Sequence, residues 1–227
     1  MTVLEVKNLT KIYGQGENAV VALDHISFTV KKGEFVAIVG PSGSGKSTMM
    51  NLIGGIDIPT EGSVVIDGKD IYSLNESQRA IFRRRNVGII YQFYNLIPNL
   101  TAQENIMLPC LLDHRKPDYE KMETILHMIG LTERKTHLPG ELSGGQQQRV
   151  SVGRALINDP AFILADEPTG NLDSKASREI MDLLTLANKK ANQTLIVITH
   201  DEKIALQADR ILTISDGKII RDEVMKA

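Results

Sequence analysis

Residues 35–47 read FVAIVGPSGSGKS, a short apolar run followed by a glycine-rich segment that ends in Lys-Ser. The run Phe35–Val39 is short, rich in β-branched residues and ended by glycine, which is typical of a buried β-strand. The segment Gly40–Ser47 fits the pattern G-x-x-x-x-G-K-[ST], and a helical stretch, Ser47–Ile53, follows it. A strand, a glycine-rich turn and a helix in this order predict a phosphate-binding loop.

This loop is expected to bind phosphate mainly through its backbone. Its glycines let the chain wrap closely, so successive N–H groups can point at phosphate oxygens, and the helix N-terminus adds positive dipole. Lys46 should reach the β- and γ-phosphates of a nucleotide, and the Ser47 hydroxyl should bind Mg²⁺. The alternative is a chance glycine-rich turn, which the flanking strand and helix argue against. The nucleotide-binding residues predicted here are Gly40, Pro41, Ser42, Gly43, Ser44, Gly45, Lys46, Ser47 and Thr48.

A second apolar run, FILADE at residues 162–167, ends in two adjacent carboxylates. Asp166 is suited to hold Mg²⁺ through water, and Glu167 is suited to orient or deprotonate an attacking water. Because Pro168 disfavours the helical region for the residue before it, Glu167 is expected to be extended. Acidic pairs at strand ends are usually just solvated. Beside a complete phosphate loop, this pair is predicted to complete a nucleotide site.

The stretch Leu142–Gln146 reads LSGGQ and is called the signature segment below. Ser143 is a good helix N-cap, two glycines follow it, and a helical pattern continues to Ile157. This predicts a second helix-terminal anion site. A chain with one phosphate loop has little use for that site unless it serves another subunit's nucleotide. A well-capped helix without a ligand is the alternative reading.

The remaining pattern predicts an α/β fold with a mostly parallel sheet. Further buried strands are expected at Phe162–Ala165 and Leu195–Thr199, and the first thirty residues alternate as antiparallel strands do. Gly62–Gly68 is expected to be another short strand. Helical patterns separated by Gly and Pro are found at Thr101–Leu112, Tyr119–Ile129 and Gln146–Ile157. We predict one domain over 1–227, with a core of 1–92 and 159–227 and an inserted helical subdomain at 93–158.

Composition excludes some classes of function. Lys plus Arg number 26 and Asp plus Glu 28, so a net charge of −2 gives no general reason to expect nucleic-acid binding. The single Cys110 cannot form an internal disulfide. Neither a signal peptide nor an apolar run of about 18–20 residues is recognisable, so a membrane role would require a partner. The charge run Arg83–Arg85 is interpreted as a solvated helix end.

With these motifs in this order, the chain resembles the nucleotide-binding subunits of ABC transporters from end to end. The resemblance implies a P-loop NTPase core, ATP and Mg²⁺ as ligands, and a role for the signature residues Ser143, Gly144, Gly145 and Gln146 at the partner subunit's ATP. It also implies that Tyr13 stacks on adenine and that Gln92 senses Mg²⁺ and the γ-phosphate. Asp173 corresponds to the aspartate at the dimer contact, and His200 to the histidine that contacts the γ-phosphate.

Three stretches resemble the subfamily of macrolide exporters, lipoprotein-releasing complexes and antimicrobial-peptide resistance or sensing transporters: 90–109, 142–150 and 165–173. The resemblance implies a homodimer, or a pseudo-dimer of ATPase subunits, around two ATP at the cytoplasmic face of the membrane, driving a separate permease. The apolar segment Phe93–Leu100 is predicted to be its docking surface. The alternative is that these side chains only seal the helical subdomain onto the core. Related chains are richer in alanine around residues 151–154, so Gly153 is expected to weaken its helix by about 1 kcal/mol.

Two other functional classes stay open at this point. A regulator of cell-wall hydrolysis at division would have the same site chemistry without a transported cargo. A DNA-repair or ribosome-associated ABC ATPase would normally carry a long coiled coil or two cassettes, and this chain has neither. The cargo and the direction of transport cannot be read from this sequence.

Overall fold

The computed structural model describes residues 1–116 and 118–225 of the 227-residue chain. The strands are β1 Thr2–Tyr13, β2 Val20–Lys31, β3 Phe35–Val39, β4 Glu61–Ile66, β5 Lys69–Asp70, β6 Val87–Ile90, β7 Phe162–Asp166, β8 Thr194–Ile198, β9 Arg210–Ser215 and β10 Lys218–Val224. The helices are α1 Lys46–Ile53, α2 Glu76–Asn86, α3 Ala102–Leu111, α4 Tyr119–Met128, α5 Gly144–Leu156, α6 Ser174–Ala191 and α7 Glu202–Ala205. None of the helices in these ranges is long and apolar enough to cross a bilayer.

The strands form two sheets. The first is antiparallel in the order β2-β1-β4-β5, and the second has the order β10-β9-β3-β8-β7-β6 with only β10 antiparallel to its neighbour. The carboxyl ends of β3, β7 and β8 therefore lie at one edge of the second sheet, which is where ligand groups gather in α/β folds. The predicted α/β class, with its mostly parallel sheet and N-terminal antiparallel region, is confirmed.

Helix α1 is buried between the two sheets. Its Met49, Met50, Leu52 and Ile53 share one hydrophobic cluster with β1, β2 and β4 on one side and with β3, β8 and β9 on the other. A second cluster covers the opposite face of the parallel sheet with α5, α6 and α7. The loop that precedes α1 is thereby fixed by a helix whose apolar side chains are at most 1% exposed.

A third cluster joins α3, α4 and α5, between β6 and β7 in the chain. The division of the chain at residues 92 and 159 stays a prediction, which this separate cluster supports. Gly153 on α5 faces it: a Cβ there would lie 3.0 Å from Ile125 Cγ2 and 3.2 Å from Ile106 Cδ1. The prediction that Gly153 merely weakens its helix is therefore incomplete, because glycine allows α3 and α4 to approach α5 closely.

The run Arg83–Arg85 does end helix α2, and Arg85 is half exposed, but the interpretation of the run as merely solvated is wrong. Arg83 donates to the Gly55 carbonyl at 2.7 Å, and Arg84 and Arg85 both bind the Asp113 carboxylate, which has no solvent exposure. Arg115 Nε lies 3.1 Å from the same carboxylate. These ion pairs join α2 to the end of α3. The sequence pattern could not reveal them, because Asp113 lies 28 residues beyond Arg85.

Candidate active site

The glycine-rich loop follows β3 and is shaped by close backbone contacts. Gly45 caps α1 with φ of +102°, and a Cβ at this position would lie 2.4 Å from the Ala22 carbonyl oxygen. A Cβ on Gly40 would lie 2.1 Å from the Ile214 carbonyl oxygen. Neither position tolerates a side chain, so the loop is held against β2 and β9 by contacts that require glycine.

Lys46 and Ser44 give this loop polar groups that a ligand could engage. Lys46 Nζ donates to the carbonyls of Gly40 and Pro41 at 2.8 and 2.7 Å. Ser44 is 3% exposed, and within residues 1–116 and 118–225 its hydroxyl has no hydrogen-bond partner. Buried polar groups without partners are rare in folded proteins. A folded-back ammonium and an unsatisfied hydroxyl in a glycine cradle are suited to an anion.

A cavity of about 560 Å³ lies over this loop. It is lined by seven of the predicted loop residues and by both carboxylates that end the FILADE strand. Those residues are Gly40, Ser42, Gly43, Gly45, Lys46, Ser47, Thr48, Asp166 and Glu167. Burial raises the pKa of Asp166, and the neighbouring Glu167 charge acts in the same direction, while Lys46 opposes both. A cation in this cavity would relieve the repulsion between the two carboxylates.

Glu167 is not extended, contrary to the sequence-based expectation. Its φ is +44°, in the left-handed region that non-glycine residues rarely adopt. Its N–H continues the parallel sheet by donating to the Ile198 carbonyl at 2.9 Å, and its own carbonyl accepts from Gly170 N–H at 3.0 Å. Two backbone hydrogen bonds thus hold a turn in which the Glu167 carboxylate faces the cavity. These bonds outweigh the preference for extended backbone that Pro168 imposes on Glu167.

His200 lies two residues after β8 and lines the same cavity. Its Nδ1 is 3.0 Å from Glu167 Oε1. Because β7 and β8 are adjacent parallel strands, residues that follow their carboxyl ends meet at one edge of the sheet. The structure therefore brings Lys46, Asp166, Glu167 and His200 together around one cavity.

Gln92 is turned towards Asn171 instead of the cavity. Gln92 Nε2 donates to Asn171 Oδ1 at 3.2 Å, and Asn171 Nδ2 donates to the Gln92 carbonyl at 3.2 Å. A Cβ on Gly170 would lie 2.7 Å from Gln92 Nε2 and 3.3 Å from Glu167 Oε2, so only a glycine backbone separates the two side chains. Sequence analysis missed Asn171, although an amide two residues before Asp173 could have drawn attention to it.

Tyr13 lies beside the cavity and not in its lining. It pairs with Val20 across β1 and β2, and Val20 lines the cavity. The Tyr13 hydroxyl donates to Asp57 Oδ2 at 2.9 Å, and Lys11 Nζ sits 4.8 Å from the centre of its ring. Burial opposes ionisation of Asp57, but hydrogen bonds from Lys11, the Ile58 N–H and Tyr13 outweigh it and lower its pKa. The Tyr13 ring is therefore held in place by Lys11 and Asp57, which carry opposite charges.

The signature segment lines a different cavity, of about 410 Å³. Ser143 caps α5: its Oγ accepts from Gln146 N–H at 3.3 Å, and Gln146 Oε1 accepts from Ser143 N–H at 2.9 Å. Asp173 lines the same cavity and caps α6 through the N–H groups of Lys175 and Ala176, which lower its pKa. No described residue lines both cavities. Within one chain, Ser143–Gln146 and Asp173 are therefore not part of the Lys46 site.

Residues 23–170 match the family described as ABC transporter. The chain belongs to the ABC transporter family. Its glycine-rich loop, FILADE strand and signature segment all fall within the matched residues, and the ATPase class predicted from them is confirmed.

Individual relatives agree with the predicted subfamily. The lipoprotein-releasing system ATP-binding protein LolD of Geobacter metallireducens is 44% identical over 97% of this chain and 99% of its own length. The macrolide export ATP-binding/permease protein MacB of Bdellovibrio bacteriovorus is 45% identical over 99% of this chain, which spans only 34% of that relative. A dimeric post-hydrolysis structure of the ATP-binding cassette MJ0796, bound to ADP and Pi, is 43% identical with a TM-score of 0.90 and covers 99% of both chains.

Proposed function

We propose that this chain binds ATP and Mg²⁺ at the Gly40–Thr48 loop and hydrolyses ATP as one subunit of a dimer that drives a separate membrane protein. The observation that carries the proposal is the convergence of Lys46, Asp166, Glu167 and His200 around one cavity. A single cavity with a phosphate-binding loop, a carboxylate positioned by histidine and an acidic pair suited to a cation has the parts that phosphoryl transfer to water needs.

Lys46 binds the phosphate oxygens of ATP. Its ammonium now satisfies two backbone carbonyls of the loop, and phosphate oxygens would compete for the same donors. Charge-assisted hydrogen bonds to phosphate are stronger than those to neutral carbonyls. The backbone N–H groups of the loop and the N-terminus of α1 add to the attraction.

Ser47 and Asp166 fit a Mg²⁺ ion, because both offer oxygen ligands to the same cavity. Gln92 is proposed as a third contact and has to leave Asn171 to reach it. When bound, Mg²⁺ neutralises charge on the phosphates. Asp166 contributes an ionised carboxylate, although burial and Glu167 raise its pKa in the structure described here.

Glu167 and His200 activate the water that attacks the γ-phosphorus. Glu167 accepts a proton from the water that attacks the γ-phosphorus, while the bond between that phosphorus and the bridging oxygen breaks and ADP leaves. A carboxylate can only accept hydrogen bonds, so His200 Nδ1 donates to Glu167 Oε1 and orients it. His200 is 71% exposed at its side chain, so its ring is accessible to the γ-phosphate.

The proposal of a dimer rests on the separation of the Lys46 cavity from the signature-segment cavity. Ser143–Gln146 and Asp173 share a cavity that lies apart from Lys46, so they are proposed to complete the nucleotide site of the partner subunit. The first turn of α5 offers N–H groups and positive dipole to an anion. The solved MJ0796 cassettes are described as dimers, which supports this arrangement.

The membrane partner is proposed to dock on Phe93–Leu100, at the cytoplasmic face. Phe93 is 72% exposed and Ile97 44% exposed, whereas Leu96 packs against the α3–α5 cluster. Asn95, which lies between Phe93 and Ile97 in the chain, lines a cavity of about 420 Å³ together with residues of α2, α3 and α5. The relatives named MacB and LolD suggest an export or lipoprotein-release complex, whose cargo is determined by the partner.

The direct test is phosphate release from ATP by the purified chain, with Mg²⁺ and with EDTA. We expect turnover that requires Mg²⁺ and rises more than linearly with protein concentration, because the active form is a dimer. Absence of turnover at concentrations where the chain is dimeric would contradict the proposal. Purification of the native complex identifies the membrane partner.

A further inference from the structure

Gln148 joins three segments of the active site through one side chain. It lies on α5 and is completely buried. Its Nε2 donates to the Tyr91 carbonyl at 3.2 Å and to the Pro168 carbonyl at 2.6 Å. Tyr91 immediately precedes Gln92 in the chain, and Pro168 immediately follows Glu167. Helix α5 is therefore bound, through Gln148, to the backbone directly before Gln92 and to the backbone directly after Glu167.

The orientation of the Gln148 amide follows from its acceptors. Two carbonyl oxygens can be satisfied only by the NH₂ end, so the oxygen end has to face elsewhere. Among the residues that the structure describes, Gln148 Oε1 has no hydrogen-bond partner. An unsatisfied buried acceptor opposes folding and offsets part of what the two donor bonds contribute to stability.

The turn held by Gln148 is a strained one. Glu167 has φ of +44°, a conformation that persists only where the surroundings fix it. The Gly170 N–H bond to the Glu167 carbonyl closes the turn from within. The hydrogen bond from Gln148 to the Pro168 carbonyl attaches this turn to α5. Without this attachment, the turn has one contact fewer to hold the carboxylate in place.

We propose that Gln148 is a positioning residue that holds Gln92 and Glu167 at fixed places relative to the signature segment. This inference rests on the proposed ATP hydrolysis. Ser143 caps the same helix, about one helical turn before Gln148. A shift of α5 when Ser143–Gly145 engage the partner's nucleotide is therefore passed to Gln92 and Glu167 of the same chain. The two nucleotide sites of the dimer are coupled through this amide.

The test compares Gln148→Met with Gln147→Met. Methionine keeps the length of glutamine and removes both donor bonds. We expect kcat to fall at least about tenfold while KM and the dissociation constant for ATP stay within about twofold, because the phosphate-binding loop is untouched. Gln147 is the matched control on the same helix: its Nε2 donates to the Leu142 carbonyl beside the Ser143 cap. Its variant should keep kcat within about twofold of wild type.

A second variant, Gln148→Glu, separates positioning from simple packing. Its ionised carboxylate faces two carbonyl oxygens, whereas its protonated form can donate one hydrogen bond. Burial raises the pKa of such a carboxyl group. The ratio of variant kcat to wild-type kcat should therefore rise as the pH is lowered from about 8 to about 6. Taking the ratio at each pH removes the titration of groups present in both proteins, such as Glu167 and His200.

Three results would overturn the inference. The first is wild-type kcat in Gln148→Met. The second is a loss of ATP affinity equal to the loss of kcat, and the third is a flat pH ratio for Gln148→Glu. The last measurement also decides the matter if Gln148→Met fails to fold. A wild-type protein without turnover would instead contradict the proposed function, so the two failures are distinguishable.

Discussion

His200 and Glu167 contact each other across the ends of two neighbouring parallel strands, with His200 Nδ1 3.0 Å from Glu167 Oε1. The contact joins the residue that follows β7 to the second residue after β8. It also orients a carboxylate whose backbone is in the left-handed region. A general base needs this kind of restraint, because proton transfer depends on geometry first and on pKa second.

Glu167→Gln should bind ATP and hardly hydrolyse it. The amide keeps the shape of the carboxylate but cannot accept the proton of water, so kcat should fall by about 100-fold or more. Because the γ-phosphate persists, the variant should accumulate as an ATP-bound dimer in size-exclusion chromatography. Turnover near the wild-type rate would show that another group is the base.

Lys46→Ala should weaken ATP binding about tenfold or more, because it removes a charge-assisted contact to the phosphates. Equilibrium titration with a fluorescent ATP analogue measures the effect. Lys69→Ala is the matched control, since Lys69 is exposed on β5, at the edge of the antiparallel sheet opposite to β2. Equal affinities of the two variants would show that the nucleotide lies elsewhere.

Ser143→Asp should inactivate the partner's site and not its own. Aspartate is also a good N-cap, so α5 should keep its cap while a carboxylate faces the incoming γ-phosphate. Gly144 is a poorer choice, because a Cβ there would lie 2.7 Å from the Tyr94 hydroxyl of the same chain. Mixing Ser143→Asp with Lys46→Ala leaves one composite site intact, and activity should partly return, to at most about half of wild type if the sites act independently.

That mixing experiment has a second readout for the case in which a single intact site does not turn over. A photoreactive ATP analogue held by one subunit's loop should crosslink to the signature segment of the other subunit. Crosslinks confined to the subunit whose own loop binds the nucleotide would contradict the shared site.

Phe93→Ser with Ile97→Ser should abolish association with the membrane partner and leave ATP binding normal. Both side chains are exposed, so their loss does not open the core. Recovery of the tagged chain in the membrane fraction measures the association. Ile220→Ser is the control for an exposed apolar residue elsewhere, on β10. Leu96→Ser should instead lower the melting temperature, because Leu96 packs against the helical cluster. Unchanged membrane recovery of the double variant would place the dock on another surface.

Asp113→Asn should lower the urea midpoint of unfolding at pH 7. Burial opposes ionisation of Asp113, but its bonds to Arg85 and Arg84 outweigh burial and lower its pKa. A lowered pKa stabilises the folded state above the unfolded-state pKa of about 3.9, and this stabilisation is lost as the pH falls through the folded-state pKa. The difference between wild type and variant should therefore shrink in acid. Asp159→Asn, at a carboxylate that is 86% exposed, should change the midpoint little.

The elements of this fold were predictable where local pattern determines them. The strand Phe35–Val39 has the predicted bounds, and the predicted helix Thr101–Leu112 begins one residue later because Thr101 is its N-cap. The motif residues also carry their chemistry in short stretches of sequence, so Lys46 and Glu167 could be proposed for one site from the residues themselves. His200 was implied only by the resemblance to ABC transporter subunits.

Features that depend on distant contacts could not be predicted in this way. The left-handed φ of Glu167 follows from a bond to Ile198 in another strand, and it overrides the preference that Pro168 imposes. The same is true of the Asp113 ion pairs and of Gln148, whose acceptors are 57 and 20 residues away in the chain. Such groups look like ordinary polar residues until the tertiary structure brings their partners to them.

The left-handed backbone of Glu167 lowers the stability of the folded protein, whereas its carboxylate is needed for ATP turnover. Glycine adopts a φ near +44° freely, whereas a glutamate held there costs about 1–3 kcal/mol. Replacing Glu167 by glycine relieves this strain and removes the carboxylate in a single step. A directed-evolution experiment that rewards thermal tolerance alone will therefore drift towards an inert protein at this position, and only selection that demands ATP turnover will retain the glutamate.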